Sequence, residues 1–512
     1  MSNNSQNNKR IAKNAIYLYI RMLFTLGVSL FTSRIILEAL GIDDFGIYSV
    51  VGGIIAMFTF INGGMVSATQ RFLNFELGKG NLSRLKKVFS TALQIHALIA
   101  LIIFILGETV GLWFLYEKLV IPPDRMVAAF WVYQCSVVSC VVSIMSVPYN
   151  ADIIAHEKMS AFAYISILEV VLKLVIVYML YIATWDKLIV YAVLILIVQL
   201  IIRFIYANYC KRHFEESHYH HKIDKSLFKE MFGFAGWSFW GNLSAILYTQ
   251  GLNLLLNVFF GPTANAARGI AVQVQTAVQQ FVSNFQVAIN PQITKSYAIG
   301  ELNQMHNLMF RSARFSFILL FFLTLPILIN TEYILTLWLK TVPQDTVTFT
   351  RLMICISLIY TIANPCVIAN QATGKVKVYQ AVVGGILLLI LPISYIALKL
   401  GAPAYSVFIV HFFIELVAQF ARMYMLRNLI HLPLRSYFKN IYIPIIGVVV
   451  ISSIAPIYIY YHLGYGLMSF IIVSLICCVS VAVTALSLGL TKEERRFIYD
   501  KINKHLRFWQ VS

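Results

Sequence analysis

The sequence is poor in charge: Asp, Glu, Lys and Arg make up only 12% of its 512 residues. Acidic residues are the scarcest of these, with 22 Asp and Glu against 40 Lys and Arg, while apolar residues reach 59%. A water-soluble domain cannot cover its surface with so little charge, and the mean hydropathy of +0.76 agrees. The composition therefore excludes a soluble protein and predicts a chain surrounded largely by lipid.

Cysteine is also scarce, and its pattern carries no metal or disulfide signal. The seven cysteines include no CxxC pair, and most fall in apolar runs, where Cys acts as a small hydrophobe. The longest internal polar stretch, 211–232, does hold four histidines: His213, His218, His220 and His221. Without cysteine partners or a fixed scaffold they do not predict a metal site, so we expect no metal and no cofactor.

Long apolar runs dominate the chain instead. About fourteen of them, between Asn14 and Gly489, reach the roughly 17 to 25 residues needed to cross a hydrocarbon core. Twenty-nine of the 40 Lys and Arg residues fall at the N-terminus, in even-numbered loops and in the tail, which predicts that both termini are cytoplasmic. The sequence thus predicts an all-α polytopic membrane protein whose first helix is not cleaved.

Three spaced motifs recur in the same order in the two halves of the chain. They are Gln70, Gly78 and Asn81 with Gln292, Gly300 and Asn303; Pro148, Ala155 and Lys158 with Pro365, Ala372 and Lys375; and Gly41 with Gly261. Their offsets of 222, 217 and 220 agree closely, which predicts an internal repeat. Each copy has six helices, an even number, so the repeat must be parallel, with two lobes able to rock about a central cavity.

The repeat and the polar stretch together predict the domain organisation. We expect an N-lobe of six helices at 1–210, a cytoplasmic linker at 211–232, a C-lobe of six helices at 233–430, two further helices at 431–490, and a cytoplasmic basic tail at 491–512.

Polar residues at helical spacing mark helix faces that point away from lipid. Such stripes occur in the first, second, seventh and eighth predicted helices. The candidate cavity-lining residues are Tyr17, Thr25, Ser29, Thr59, Asn62, Asn242, Asn253, Gln275 and Gln279. We expect an amide-rich cavity between the lobes.

Five cations lie inside predicted helices: Arg21, Arg34, Lys173, Arg203 and Arg268. Each costs roughly 2.5 to 3.5 kcal/mol on insertion scales, which requires a partner or a water-filled site. Arg21 and Arg268 have no carboxylate at helical spacing in the same run, so they are candidates for binding an anion. An arginine fork suits phosphate, which stays charged at physiological pH.

Other charged residues have local partners at helical spacing, and two readings stay open for them. Glu169 and Lys173 are four residues apart, as are His411 and Glu415. Glu169 and Lys173 form an ion pair within the helix or take part in ligand binding or ion coupling. His411 and Glu415 carry a proton for ion coupling or satisfy a helix contact. Arg34 lies near Glu38 and could likewise be paired.

Several stretches resemble the Wzx-type O-antigen flippases, the polysaccharide transport branch of the multidrug/oligosaccharidyl-lipid/polysaccharide (MOP) exporter superfamily. They are TSRIILEALGIDDFGIYSVVGGI, SATQRF, PYNADIIAHEK with its echo PCVIANQATGK, and GPTANAARGIAVQ. The resemblance covers nearly the whole chain.

The resemblance implies two six-helix lobes in a V shape, as in MATE exporters, and alternating access in the bacterial inner membrane. The substrate would be an undecaprenyl-diphosphate-linked oligosaccharide for O-antigen, lipopolysaccharide or another surface polysaccharide. By similarity to lipid II flippases, Arg21, Arg34 and Arg268 would hold the diphosphate. The expected partners are this lipid, membrane lipids and other polysaccharide assembly proteins, with no nucleic acid and no nucleotide.

Two other functions compete with flipping. A drug exporter of the same superfamily would need acidic residues in its cavity to bind cationic drugs. The polar stripe of the first helix instead carries a cation, Arg21. A membrane polymerase or ligase would carry a large outer loop, and no outer loop here reaches domain size or holds a catalytic triad. The stretch ATGK lacks the first glycine and the Ser/Thr of a P-loop. We therefore expect a transporter rather than an enzyme.

Overall fold

The computed structural model describes residues 2–40, 42–117, 121–219, 224–339, 342–491 and 494–496. In that part of the chain the backbone forms helices joined by short turns, without strands, which confirms the all-α prediction. In chain order the helices are α1 (Ser2–Leu40), α2 (Ile42–Lys79), α3 (Leu82–Glu117), α4 (Pro123–Ala155), α5 (Met159–Ile182), α6 (Lys187–His213), α7 (Lys225–Phe260), α8 (Pro262–Ala298), α9 (Leu302–Ile329), the short α10 (Thr331–Trp338), α11 (Thr346–Thr373), α12 (Val376–Lys399), α13 (Ser406–Ile430), α14 (Leu434–Leu463) and α15 (Leu467–Gly489).

Among the described residues, eleven helical stretches are long and apolar enough to cross a membrane. These are α3 to α7, α9 and α11 to α15. Helices α1, α2 and α8 are not among these eleven stretches, although they have 39, 38 and 37 residues and are long enough to cross a membrane. Helices α1 and α8 carry the most regular polar stripes of the sequence, which lowers their apolar content. The chain is a multi-pass membrane protein, and the count of fourteen spans stays a prediction.

The helices group into two compact units. The first contains Met1–Leu243 and Thr294–Glu301, and the second contains Ser244–Ile293 and Leu302–Ser512. In the first unit the main helix pairs are α4 with α6, α1 with α5, and α2 with α4. In the second they are α9 with α11, α11 with α13, and α14 with α15. The domain boundaries drawn from the sequence stay a prediction.

The turns after α2 and α8 correct the register of the first repeated motif. Gly80 has φ 68° and Gly300 has φ 80°, a left-handed conformation that favours glycine after a helix. The next helices then begin at Leu82 and Leu302. The matching residues are thus 220 apart, so Gly300 corresponds to Gly80 rather than to Gly78.

The second repeated turn keeps its geometry but changes its residue. Before α5 the left-handed position is Glu157, with φ 57°, and before α12 it is Gly374, with φ 76°. A glutamate rarely adopts this conformation. The buried Glu157 carboxylate is held by Arg10 Nε and Lys295 Nζ, each at 2.9 Å. This ion-pair cluster holds the glutamate where the second copy uses a glycine.

Glycines on α2 allow close helix contacts within the first unit. A Cβ at Gly64 would lie 2.6 Å from the Ala235 carbonyl oxygen on α7, and a Cβ at Gly78 would lie 2.9 Å from the backbone of Lys295 on α8. Both distances are shorter than carbon contacts allow, so any larger residue at these positions would push the helices apart.

Arg125 connects three chain segments at one end of the first unit. Its Nε and Nη2 donate to the two Asp44 carboxylate oxygens at 2.8 and 2.5 Å, and its Nη1 donates to Asp186 at 2.6 Å. Partial burial raises the pKa of Asp186, but the hydrogen bond and charge of Arg125, together with the backbone N–H groups of Ile189 and Leu188, outweigh it and hold that pKa below its usual value. This contribution to stability is present above the ordinary Asp pKa and is lost as the pH falls through the lowered one.

The tail is anchored to α9 through a buried ion pair. Arg314 Nη2 donates to both Glu494 carboxylate oxygens, at 2.7 and 2.5 Å, and Arg311 Nε lies 3.1 Å from the same carboxylate. Glu494 also accepts from the Thr491 backbone N–H at 2.9 Å. The sequence count placed Arg314 among loop residues, but it lies inside α9 and is 2% exposed.

We expect Glu494→Ala to lower the thermal unfolding midpoint of the full chain in detergent. Removing one partner of a buried ion pair costs about 3 to 5 kcal/mol, because the other charge stays buried and unpaired. The matched control is Glu301→Ala, since Glu301 is exposed to solvent. Equal midpoints for the two variants would contradict the anchor.

Candidate functional site

A cavity of about 390 Å³ lies in the second unit among α7, α8, α11 and α13. Apart from Ile356, its lining is polar or aromatic. The lining residues are Tyr248, Gln275, Thr276, Gln279, Gln280, Ser283, Ile356, Tyr360, His411 and Glu415. Four residues singled out in the sequence, Gln275, Gln279, His411 and Glu415, are therefore brought together here.

The cavity exists because α8 has two different faces. Its small apolar residues Ala267 and Ala271 are fully buried in a cluster that includes Phe349 of α11. Its amide stripe recurs every three or four residues and turns toward the cavity instead. Gln275 Nε2 donates to Ser357 Oγ at 2.9 Å, which fixes one amide against α11.

Arg268 lies on α8 two turns before Gln275 and is half-buried. Its Nη2 donates to the Thr249 carbonyl oxygen at 2.9 Å, and its Nε is buried without a hydrogen-bond partner. Among the described residues, no carboxylate oxygen lies within 4.0 Å of it. Tyr248 and His411, which line the cavity, are close enough to Arg268 to interact with its charge. Arg268 is thus a cation beside the cavity without a neutralising anion in the described part of the chain.

Glu415 is neutralised by Arg422, seven residues further along α13. Glu415 Oε1 lies 2.7 Å from Arg422 Nη1, and both side chains are 3% exposed. His411 instead packs edge-on against Tyr248, with ring centroids 5.2 Å apart. The sequence considered His411 with Glu415 and counted Arg422 as a loop residue. The spacing of seven, two helical turns, was the available signal for the true partner.

In the first unit, the α1 stripe packs against α5. The Arg21 guanidinium lies over the Phe162 ring at 4.6 Å from its centroid, and Tyr17 meets Tyr164 edge-on at 6.0 Å. Arg21 and Thr25 are both half-buried. The attraction between this cation and the aromatic ring helps to hold α1 against α5.

The remaining sequence-predicted residues lie in several environments. Lys173 Nζ lies 2.6 Å from Glu169 Oε1, so these two form an ion pair within α5. On α7, Asn242 is exposed and Asn253 is half-buried. Four predicted side chains lie outside the described residues: Ser29, Arg34, Thr59 and Asn62.

Comparison of the sequence with known proteins identifies a family. Residues 11–297 match the model of the family described as "Polysaccharide biosynthesis protein". No curated protein matches the chain significantly. The match covers more than half of the chain, including α1 to α8 except the first residues of α1 and the last of α8.

Several solved transporters share the fold. A multidrug resistance MATE family transporter of the MOP superfamily, in an outward-facing conformation, superposes with a TM-score of 0.69 at 13% identity, covering 83% of this chain and 96% of that one. The MATE transporter ClbM in complex with Rb+ gives 0.70 at 14% identity, covering 84% and 97%. A MOP superfamily transporter from Pyrococcus furiosus, described as having a binding pocket of reverse polarity, gives a TM-score of 0.64 at 13% identity, covering 82% of this chain and 96% of that one.

Family and fold together indicate a membrane transporter rather than an enzyme. The chain belongs to the polysaccharide biosynthesis protein family and has the fold of the MOP superfamily transporters.

Proposed function

We propose that this protein is a flippase that moves an undecaprenyl-diphosphate-linked oligosaccharide from the inner to the outer leaflet of the bacterial cytoplasmic membrane. The oligosaccharide is a repeat unit of O-antigen, capsule or another surface polysaccharide. Both termini lie on the cytoplasmic side in this proposal, because the Lys and Arg residues concentrate there. Transport proceeds by alternating access of the two repeated lobes.

The observation that carries this proposal is Arg268 beside the amide-lined cavity. Among the described residues its guanidinium donates to one backbone carbonyl, that of Thr249, and its Nε is buried without an acceptor. A diphosphate would supply the missing acceptors through charge-assisted hydrogen bonds. The neighbouring amides of Gln275, Gln279 and Gln280 can donate to and accept from sugar hydroxyls.

The balance of charge around the cavity favours an anion over a cationic drug. Among the described residues that line the cavity, Glu415 is the only carboxylate, and Arg422 already neutralises it at 2.7 Å. The unneutralised charge of Arg268 therefore gives the site a net positive charge. A MATE-like exporter of cationic drugs, the second candidate, would require an available carboxylate there.

The other sequence candidates receive separate roles in the proposal. By the family resemblance, Arg21 and Arg34 are proposed to bind the diphosphate as well. Glu415 is the counter-ion of Arg422, and Glu169 is the counter-ion of Lys173, since each carboxylate already contacts its cation. His411 orients Tyr248 through ring contact.

We expect Arg268→Ala to weaken binding of undecaprenyl diphosphate at least about tenfold. A hydrogen bond to a charged group contributes about 1.5 to 3 kcal/mol, and 1.4 kcal/mol corresponds to a factor of ten. Arg268→Lys should retain part of the affinity, because it keeps the charge but loses the fork. Binding is measured on purified protein in detergent, and surface glycan is scored in a deletion strain complemented with each variant.

The matched control for this experiment is Arg351→Ala. Arg351 also donates to a helix carbonyl, the Leu328 oxygen at 3.1 Å, but it is exposed and has a second acceptor, Thr331 Oγ1 at 3.2 Å. Wild-type lipid binding and glycan in Arg268→Ala, at equal protein level, would refute the assignment. Export of a cationic drug with no lipid binding would favour the second candidate.

Variants of Glu415 and Arg422 distinguish two roles for Glu415, a counter-ion of Arg422 or a group that couples transport to an ion. Arg422→Met alone should strongly destabilise the protein, because it leaves a buried carboxylate unpaired, and Glu415→Gln with Arg422→Met should recover most of the thermal unfolding midpoint. If Glu415 is only a counter-ion, the double variant also keeps glycan export. A stable double variant without export would assign Glu415 to ion coupling instead.

A further inference from the structure

Three chemically reactive side chains meet in the first unit, whereas the cavity described above belongs to the second. Asp152 lies in the last turn of α4, His156 follows that helix, and Glu216 lies in a short 3-10 turn, Glu215–Ser217, just after α6. One ligand atom from each residue lies within 4.8 Å of the other two. Sixty residues separate Glu216 from His156, so only the fold brings the three together.

The hydrogen bonds of this cluster leave one buried oxygen without a partner. His156 Nε2 lies 2.5 Å from Glu216 Oε1, and Asp152 Oδ2 accepts from Ser217 Oγ at 2.7 Å. Among the described residues no N–H or O–H donates to Asp152 Oδ1, although Asp152 is 0% exposed, and the Asp152 and Glu216 carboxyl groups lie close enough to share a proton. This oxygen lies 3.8 Å from His156 Nε2 and therefore faces into the cluster.

The charge of the cluster is also incomplete. Asp152 and Glu216 are both buried, and among the described residues no Lys or Arg lies within 4.0 Å of either carboxylate. A protonated His156 would supply one positive charge against two negative ones. Buried carboxylates require a cation or a proton, and a divalent cation would balance both and coordinate the unpartnered oxygen.

The surroundings position the ligands and leave a path of entry. The His156 ring stacks on Phe214 with centroids 4.0 Å apart and planes 6° apart, which fixes its orientation. Its side chain is 24% exposed, so the ring is partly accessible to solvent. Ser217 donates a hydrogen bond to Asp152 and so fixes the orientation of its carboxylate. Metal ligands are commonly oriented by such hydrogen bonds from residues that do not contact the metal.

We propose that Asp152, His156 and Glu216 form a binding site for a divalent transition-metal ion. One imidazole nitrogen and two carboxylate oxygens suit Zn²⁺ or Mn²⁺, with water completing the coordination. The ion fastens the chain that follows α6 to the end of α4. It therefore stabilises the first unit at the start of the polar segment 211–232. The rival arrangement is a proton shared among the three groups without a metal.

The test uses the full chain in detergent after treatment with a chelator. ZnCl₂ and MnCl₂ are titrated separately, and both the heat of binding and the thermal unfolding midpoint are recorded. We expect one ion per chain and a midpoint that rises with metal concentration. Asp152→Asn and His156→Gln should each weaken binding at least about tenfold. If His156→Gln does not fold, Glu216→Gln replaces it.

Two matched controls are available near the site. His213→Gln changes a histidine in the last turn of α6, where the ring lies 2.9 Å from the Tyr209 carbonyl oxygen. Asp224→Asn changes an acidic residue that pairs with Lys87. Both controls should bind metal as the wild type does. The proposal is overturned if neither metal binds the wild type, if His156→Gln binds normally, or if His213→Gln abolishes binding.

Discussion

A charge enclosed by apolar helices must be balanced by a second group, because the loss of hydration costs several kcal/mol. Much of this protein's architecture follows from that constraint. Arg422 is matched by Glu415 two turns away on the same helix. Arg314 is matched by Glu494, which fixes a residue of the tail against α9. In both cases the fold depends on the pair, since either partner alone would be left buried and uncompensated.

The same constraint makes the unmatched groups informative. Arg268 keeps a buried Nε without a partner beside a cavity of polar side chains, and Asp152 keeps a buried Oδ1 without one inside a cluster of ligating groups. The first is an excess of positive charge and calls for an anion. The second is an excess of negative charge and calls for a cation. Their signs differ, so a single ligand class cannot account for both.

The repeat shows which features the two copies share and which they do not. Backbone turns are shared, since Gly80 and Gly300 adopt the same left-handed conformation and each is followed by a helix. Side-chain charge is not shared, because the turn that contains Gly374 in the second copy contains Glu157 in the first. The Glu157 carboxylate forms ion pairs with Arg10 and Lys295. Turn geometry preserves the helix order, while each copy carries its own set of charges.

The sequence by itself determined the membrane environment, the all-α class, the resemblance to this family and the amide stripe of α8, because hydrophobicity and helical spacing are local properties of the chain. Spacing indicated the Glu169–Lys173 pair, but it did not determine which charges pair between segments distant in the sequence. The partner of Arg314 lies 180 residues away, and that of His156 lies 60 residues away. Only the tertiary structure decided these contacts, since the pairing of a buried charge depends on which helix ends the fold brings within about 4 Å, and that distance has no local signature in the sequence.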